Sequence, residues 1–361
     1  MQSPASVARD GALALVASLL AGGVVADRTS RRAVMLGADL VRVASQGTTA
    51  ALLILGSPAP WLLAALAAAS GAAAGFFMPA ATGLLPEVVP DDQLQPANGL
   101  RATAASVGEI VGPLTAGLLV AGVGAGWAVA ADAGTFAVSA ACLALLRPPE
   151  RIVSRAASFA ADLRAGWRAF VARRWVWTFV AYFGVSTTLW GAIGVLGPVT
   201  AERDLGGAAA WGFVLAAFGI GSLVGSLLAT RAAPARPLVF VAGMEALFAL
   251  PLAFLAVPTP VALLALGAFV SGLGVTTGES VWESTLQRHI PNESLSRVSS
   301  YDWFGSFAFY PLGLAIWGPL ASGVGLGASL WLAFAVFIAA IAAVLCVPDV
   351  WRLTAAPTAP R

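Results

Sequence analysis

Three carboxylates stand inside long apolar runs of this sequence: Glu109 between Gly108 and Gly112, Asp132 within 125–146, and Glu245 about halfway along 237–256. An ionisable group in lipid costs roughly 2.5 to 3.5 kcal/mol on insertion scales, so one that is retained needs a partner, a cavity or a task. Withdrawal from water favours the neutral form of a carboxyl group, which lets it load and release a proton as its surroundings change. Glu109 first, then Glu245 and Asp132, are therefore candidate sites for a proton or a cationic substrate. A hydrogen bond or salt bridge between helices is the competing role for each.

A second set of charges reads as structural. Asp39 and Arg42 are three residues apart on one helix face, placed to pair with each other or with the charged loop before them. Glu279 and Glu283 are one turn apart with Arg288 beyond, which favours a gate or a salt-bridge cluster over transport chemistry. With Arg101 and Asp302 these make up the candidate inner gate.

Several chemistries are excluded outright. All 20 basic residues are arginine, so a phosphate-binding loop ending in Gly-Lys cannot exist and this polypeptide cannot itself be driven by ATP. His289 is the only histidine, which rules out a multi-histidine metal site. Cys142 and Cys346 lie singly in apolar runs and read as small core residues. No nucleophile and base are set together, so neither an enzyme nor a bound cofactor is expected. A net charge of +2 is too small to suggest nucleic acid.

The elements that hold these groups are set by composition. Hydrophobic residues make up 59% of the chain and charged ones 11%, with a mean hydropathy of +0.85, outside the range of soluble domains. Apolar runs fall near 11–26, 33–55, 60–84, 97–121, 125–146, 175–198, 209–230, 237–256, 260–284, 298–321 and 326–347, which predicts eleven membrane-spanning helices. The first run is not a secretory signal, because it lacks a basic start beyond Arg9 and passes directly into Asp27-Arg28-Thr29-Ser30-Arg31-Arg32.

Alternating these spans gathers Arg28, Arg31, Arg32, Arg147, Arg151, Arg155, Arg164, Arg168, Arg173, Arg174, Arg231, Arg236, Arg288, Arg297 and Arg352 on one side. Only Arg9 and Arg203 remain on the other. Cytoplasmic loops keep positive charge, so the N-terminus is expected outside and the C-terminus, with the tail 348–361, inside. The segment 148–174 divides a first half, 1–147, from a second, 175–347. In it Phe159, Leu163, Trp167, Phe170 and Val171 recur at helical spacing opposite Asp162, Arg164 and Arg168. That pattern predicts an amphipathic helix on the inner membrane surface or a solvated linker helix.

The halves repeat at an offset of 201 residues. Gly112, Gly117, Gly122, Gly124 and Gly126 match Gly313, Gly318, Gly323, Gly325 and Gly327, while Pro90 and Leu94 match Pro291 and Leu295. Such matches imply two duplicates in parallel orientation. The same offset pairs Arg101 with Asp302. It also places the counterpart of 175–198 before residue 1, so a six-plus-six design is expected of which the first helix is missing here.

Gly23-Val24-Val25-Ala26-Asp27-Arg28-Thr29-Ser30-Arg31-Arg32 resembles the loop motif of the major facilitator superfamily, with serine at position 30 where the family prefers glycine. Gly225, Thr230, Arg231 and Arg236 resemble a decayed second copy. Gly99, Gly108, Gly112, Pro113 and Gly117, with Ala116, are similar to the fifth-helix motif of its drug/proton antiporters. Glycines so spaced allow close helix contact, and Pro113 permits a bend.

With Leu85-Pro86-Glu87-Val88-Val89-Pro90 and Ser299-Ser300-Tyr301-Asp302-Trp303, the chain looks like the bacterial exporter branch that includes enterobactin and macrolide efflux proteins. The resemblance implies an all-α membrane fold of two pseudo-symmetric halves in the bacterial inner membrane. The halves would rock about a midplane cavity to expel a small amphipathic molecule in exchange for protons. It also implies a conformational latch at Gly23, Asp27, Arg28, Arg31 and Arg32. Trp190, Phe304, Phe309, Tyr310 and Trp317 are candidates to line the cavity. The lipid bilayer, protons and the small substrate are the expected partners of a monomer. A non-transporting remnant or membrane sensor of the same fold is the alternative.

Overall fold

The computed structural model describes residues 15, 18–56, 59–149 and 159–355, and among them every regular element is helical. Arg9, Arg151, Arg155, the start of the 11–26 run and the end of the tail lie outside the described residues. In chain order the helices are α1 (18–28), α2 (Arg31–Ile54), α3 (Pro60–Val88), α4 (Leu94–Val123), α5 (Ala125–Leu145), α6 (Phe159–Val171), α7 (Arg174–Thr200) and α8 (Ala208–Ala229). They continue as α9 (Pro237–Glu245), α10 (Ala249–Ala256), α11 (Val261–His289), α12 (Asn292–Phe307), α13 (Tyr310–Val324), α14 (Leu326–Leu345) and α15 (Pro348–Arg352).

Nine helical stretches among the described residues are long and apolar enough to cross a membrane. Five are α3, α5, α8, α11 and α14, and four combine an α-helix with a 3-10, π-helical or turn segment: Asp91–Val123, Arg174–Leu205, Pro237–Ala256 and Asn292–Val324. The two other expected spans are 33–55, which forms the 24-residue α2, and 11–26, whose described part belongs to α1. Asp39, Arg42, Ser45 and Gln46 dilute the apolar character of α2 in mid-run.

The chain forms two compact units that cut across the sequence halves. The first holds Met1–Pro90, Val111–Ala172 and Ile290–Phe304; the second holds Asp91–Ile110, Arg173–His289 and Gly305–Arg361. In the first unit Ala26, Met35, Ala80, Leu84 and Leu143 form a buried core between α1, α2, α3 and α5. The second unit is built around aromatic rings, with Phe179 stacked on Trp282 at 5.1 Å and Phe248 edge-on to Phe337 at 5.3 Å. Its α8 and α11 lie backbone to backbone where Gly225 meets Leu273 and Gly272 meets Ser222, an approach that a side chain would block.

The repeat is visible in the backbone. Gly124 caps α5 with φ 100° and ψ 162°, and Gly325, 201 residues on, caps α14 with φ 92° and ψ 153°. An L side chain is strained at such a positive φ, so glycine at both turns is a conformational requirement.

Candidate functional site

In the first unit the charged loop after α1 becomes a closed hydrogen-bond cluster. Ser30 caps α2 by accepting a bond from the Ala33 amide at 3.3 Å, with φ −71° and ψ 119°. Extended backbone of this kind suits serine as well as glycine, so the sequence departure at this position needs no left-handed turn. The cap starts α2 at Arg31, one helical turn beyond Asp27.

Arg31 is only 1% exposed and is the centre of the cluster. It donates to the Asp27 carboxylate at 2.8 Å, the Glu87 carboxylate at 2.9 Å, the Gly83 carbonyl at 2.6 Å, and the side-chain and backbone oxygens of Asn292, both at 2.5 Å. A buried guanidinium needs this many acceptors to offset its lost hydration. Asp27 in turn accepts the backbone N–H of Arg297 at 3.1 Å and its Nε at 3.0 Å. Arg32 donates to the carbonyls of Leu143 and Ala144, both at 2.6 Å, which satisfies the open C-terminus of α5. Gly23 lets α1 lie against α12, because a Cβ there would come within 2.5 Å of Ser300.

The linker helix α6 joins the same cluster. Asp162 accepts from Arg28 at 2.5 Å and from Arg297 at 3.4 Å, and the Leu163 carbonyl accepts from the Tyr301 hydroxyl at 3.0 Å. Trp167, Phe170 and Tyr301 pack ring to ring at 5.5–5.7 Å. The face carrying Asp162, Gly166 and Phe170 is thus docked on α12, while Arg164 and Arg168 stay exposed.

A second polar group of this unit lies between α2 and α5. Asp39, 1% exposed, accepts from Ser139 at 2.6 Å and pairs with Arg42 at 3.8 Å. The Arg42 guanidinium lies over the rings of Phe136 at 4.9 Å and Phe77 at 5.3 Å. One turn further, Gln46 donates to Asp132 at 2.9 Å. Asp132 therefore sits in a helix-to-helix contact rather than alone in lipid.

The second unit holds the remaining carboxylates. Glu283 pairs with Arg101 at 2.8 Å, whereas Arg288 reaches the Asp91 carbonyl at 3.3 Å. Arg288, expected beyond the glutamates, lies a further turn along α11 and points to the chain's entry into α4. Glu279 interacts electrostatically with Glu283, Glu109 and Arg101. Glu109 and Glu279 are both exposed, and neither makes a hydrogen bond or ion pair with a described residue. Glu245 is 3% exposed, accepts from the Tyr182 hydroxyl at 3.1 Å, and lies within electrostatic reach of Glu279. Its other oxygen has no partner and lies against Gly278, in the space a side chain would fill.

The antiporter-like glycines divide. A Cβ at Gly99 would lie 2.6 Å from the Thr230 amide, so α4 touches the end of α8 there. At Gly108, Gly112 and Gly117 a Cβ would meet nothing within 4 Å, and the close contact expected of them is absent among the described residues. Gly313, the repeat partner of Gly112, packs on Thr188 because α7 lies against α13. Pro113 sits inside the continuous α4.

Arg101 and Asp302, matched by the repeat, fall in different units, with Asp302 buried in the first. Of the aromatic candidates, Trp190 lines a cavity of the second unit, Trp317 is buried and donates to the Thr188 carbonyl, and Phe309 and Tyr310 are exposed. Phe304 is half-buried. The sequence offered Glu87 only as part of the Leu85–Pro90 motif and gave no sign of Asn292, Tyr182 and Ser139, or of Asn98, which donates to Ser284 at 2.9 Å and Gln287 at 2.6 Å. The available signal was polarity at buried helical positions, which singles out residues without pairing them.

Residues 8–306 match the family described as the Major Facilitator Superfamily. The multidrug efflux pump Tap of Mycolicibacterium fortuitum is 28% identical over 343 residues, 90% of this chain and 81% of Tap. The enterobactin exporter EntS of Shigella boydii is 32% identical over 231 residues, which are 62% of this chain and 54% of EntS. That match spans about half the length of the exporter. Among solved structures, the human organic anion transporter MFSD10 aligns with a TM-score of 0.77 at 16% identity, over 94% of this chain and 82% of that one, a likeness of fold.

Proposed function

The chain belongs to the Major Facilitator Superfamily and is a multi-pass membrane transporter, and from that premise we propose that it exports a small amphipathic molecule in exchange for protons. The cargo would be of drug, macrolide or siderophore-like kind. The observation that carries the coupling is one of charge. Among the described residues the charges acting on Glu279 are Glu283, Glu109 and one arginine, Arg101, and that arginine is held by Glu283. The surplus negative charge has to be met by a proton or by the cationic part of a substrate. A site that holds one or the other, and opens to each side in turn, exchanges them. Glu245, buried behind Glu279 with Tyr182, serves as a further proton acceptor.

The residues around Asp27 and Arg31 act as the conformational latch, with Gly23, Arg28 and Arg32 holding the helices that meet there. The repeat-related halves, 1–147 and 175–347, are the bodies that move, joined by 148–174. The arginine bias puts the latch and the tail 348–361 on the cytoplasmic side of the bacterial inner membrane. Efflux proteins among the relatives support the transporter over a non-transporting sensor.

Inside-out vesicles test the reading, with ethidium and enterobactin as trial cargoes and a pH-sensitive dye reporting the lumen. Cargo addition should move protons in vesicles holding the protein, and Glu279→Gln with Glu109→Gln should abolish that movement. Full coupling in the double variant would remove these carboxylates from the mechanism. No cargo-dependent flux for any trial compound would overturn the transport reading.

A further inference from the structure

The linker helix α6 has one face occupied and one face free. On the occupied side Asp162 accepts from Arg28 and Arg297, and Phe170 is buried. Gly166 lies so close on α12 that a Cβ there would come within 3.0 Å of the Arg297 side chain and 3.2 Å of the Tyr301 ring. On the far side Ala160, Arg164 and Arg168 follow one another at four-residue spacing, all exposed, with Trp167 and Val171 beside them. Trp167 stays 52% exposed although its ring packs on Phe170 and Tyr301.

Two cations on this free face are unmatched. Side chains four apart on a helix are neighbours, about 5–6 Å apart, and like charges so placed repel. Neither the Arg164 nor the Arg168 guanidinium makes a hydrogen bond or ion pair with a described residue. The one carboxylate of α6, Asp162, is turned the other way and taken by Arg28 and Arg297. Over 148–174 six arginines stand against two acids, Glu150 and Asp162, so the linker as a whole is basic. The free face therefore calls for an anion from outside the chain.

Place and the apolar flank decide which anion. The chain runs through α6 between two membrane spans, Ala125–Leu145 and Arg174–Leu205, and α6 itself, at 13 residues, is too short and too charged to cross. It is docked near the start of another span, Asn292–Val324, where Leu163 accepts from Tyr301. That is the level of the lipid headgroups, which indole rings favour because one end is apolar and the other wet. Arginines on an amphipathic helix at this level attract anionic lipid, and guanidinium groups bond phosphate oxygens strongly. Free phosphate would meet the two charges but leave Trp167 and Val171 in water. We propose that the free face of α6 binds an anionic phospholipid, with the headgroup phosphate held between Arg164 and Arg168 and the upper acyl chains resting on Trp167 and Val171. The assignment needs only that the chain spans a membrane, and it stands apart from cargo and coupling.

The test uses the full-length protein with Cys142 and Cys346 changed to serine and with Ala160→Cys carrying a bimane label, one turn before Arg164. Nanodiscs hold equal parts of phosphatidylglycerol and phosphatidylcholine, with a nitroxide on the upper acyl chain of one lipid or of the other. Quenching by the labelled phosphatidylglycerol should exceed that by the labelled phosphatidylcholine about fivefold, the size expected for a basic side chain at a charged surface. Arg164→Gln with Arg168→Gln should make the two equal, while Arg164→Lys with Arg168→Lys should keep most of the excess. Millimolar inorganic phosphate should leave the excess unchanged. Equal quenching with both arginines present, or an excess that survives in the double glutamine variant, would overturn the assignment. Loss of the excess to phosphate would replace the lipid by a free anion, and no quenching by either lipid would put α6 in water; each outcome also overturns it. Failure of the export assay would leave this result untouched, which keeps the two readings separately testable.

Discussion

Asp27 accepts two hydrogen bonds from a single residue 270 positions away, the backbone N–H of Arg297 at 3.1 Å and its Nε at 3.0 Å. The same carboxylate takes a third from Arg31 at 2.8 Å. One side chain thereby ties the end of α1 to the start of α2 and to α12, and bonds to a charged group are the stronger kind.

Asp27→Asn keeps the shape and removes the charge. We expect about a tenfold fall in cargo efflux with normal amounts of protein in the membrane, since charged hydrogen bonds contribute about 1.5–3 kcal/mol each. Leu295, fully buried in α12, reports the loosening when changed to cysteine in a background where Cys142 and Cys346 are serine. Its maleimide labelling should speed up in Asp27→Asn. Unchanged labelling together with unchanged efflux would mean that the carboxylate holds nothing closed.

Two glycines separate close contact from helix propensity. At Gly23 a methyl group would lie 2.5 Å from Ser300 and 2.6 Å from the Ser296 carbonyl, while at Gly37 it would meet nothing within 4 Å. Gly23→Ala should destabilise the purified protein by about 1–3 kcal/mol through overpacking. Gly37→Ala should be neutral or stabilising by about 0.5–1 kcal/mol. Thermal unfolding in detergent compares them, and equal midpoints would argue against tight α1–α12 contact.

For the α2–α5 cluster the informative experiment is a double-mutant cycle. Asp39→Ala leaves Arg42 charged and poorly paired between two rings, at a cost of about 3–5 kcal/mol. Adding Arg42→Met should recover much of that loss, because an apolar side chain fills the slot between Phe77 and Phe136. Additive destabilisation, read from unfolding midpoints, would show that the two residues do not interact.

Arg101→Gln frees Glu283 and raises the negative charge around Glu279. The half-saturating concentration for ethidium efflux should fall several-fold, with little change for an uncharged cargo. Glu283→Gln added to Arg101→Gln should bring it back. A shift of equal size for charged and uncharged cargo would point to a change of shape in place of a change of field.

The charged groups show how far a sequence reaches. Asp27, Arg31 and Arg32 stand out through the loop motif that this stretch resembles, and a turn between two helices fixes such near neighbours relative to each other. Glu87, Asn292 and Arg297 belong to the same cluster and could not be joined to it, since they enter from distant segments. Ser139 and Tyr182 carry no signal of their own in the sequence, because they reach Asp39 and Glu245 only across helix contacts. Gly108, Gly112 and Gly117 carry a packing pattern, yet the structure shows open space where Gly313 finds a neighbour.

The sequence by itself determined the solvent of this protein, its helical elements, the 201-residue duplication with its paired glycine caps, and the composition of the charged loop. All of these follow from interactions within one helix or one turn, where hydropathy, spacing and φ preference act locally. Only the tertiary structure decided that Arg101 takes Glu283, that Asp132 takes Gln46, and that Asp162 of the linker joins the cluster around Asp27 and Arg31. Those choices depend on how each helix is rotated and shifted against others far along the chain. Hydrogen bonds and ring contacts act over a few ångströms, and such rotations place or remove them entirely.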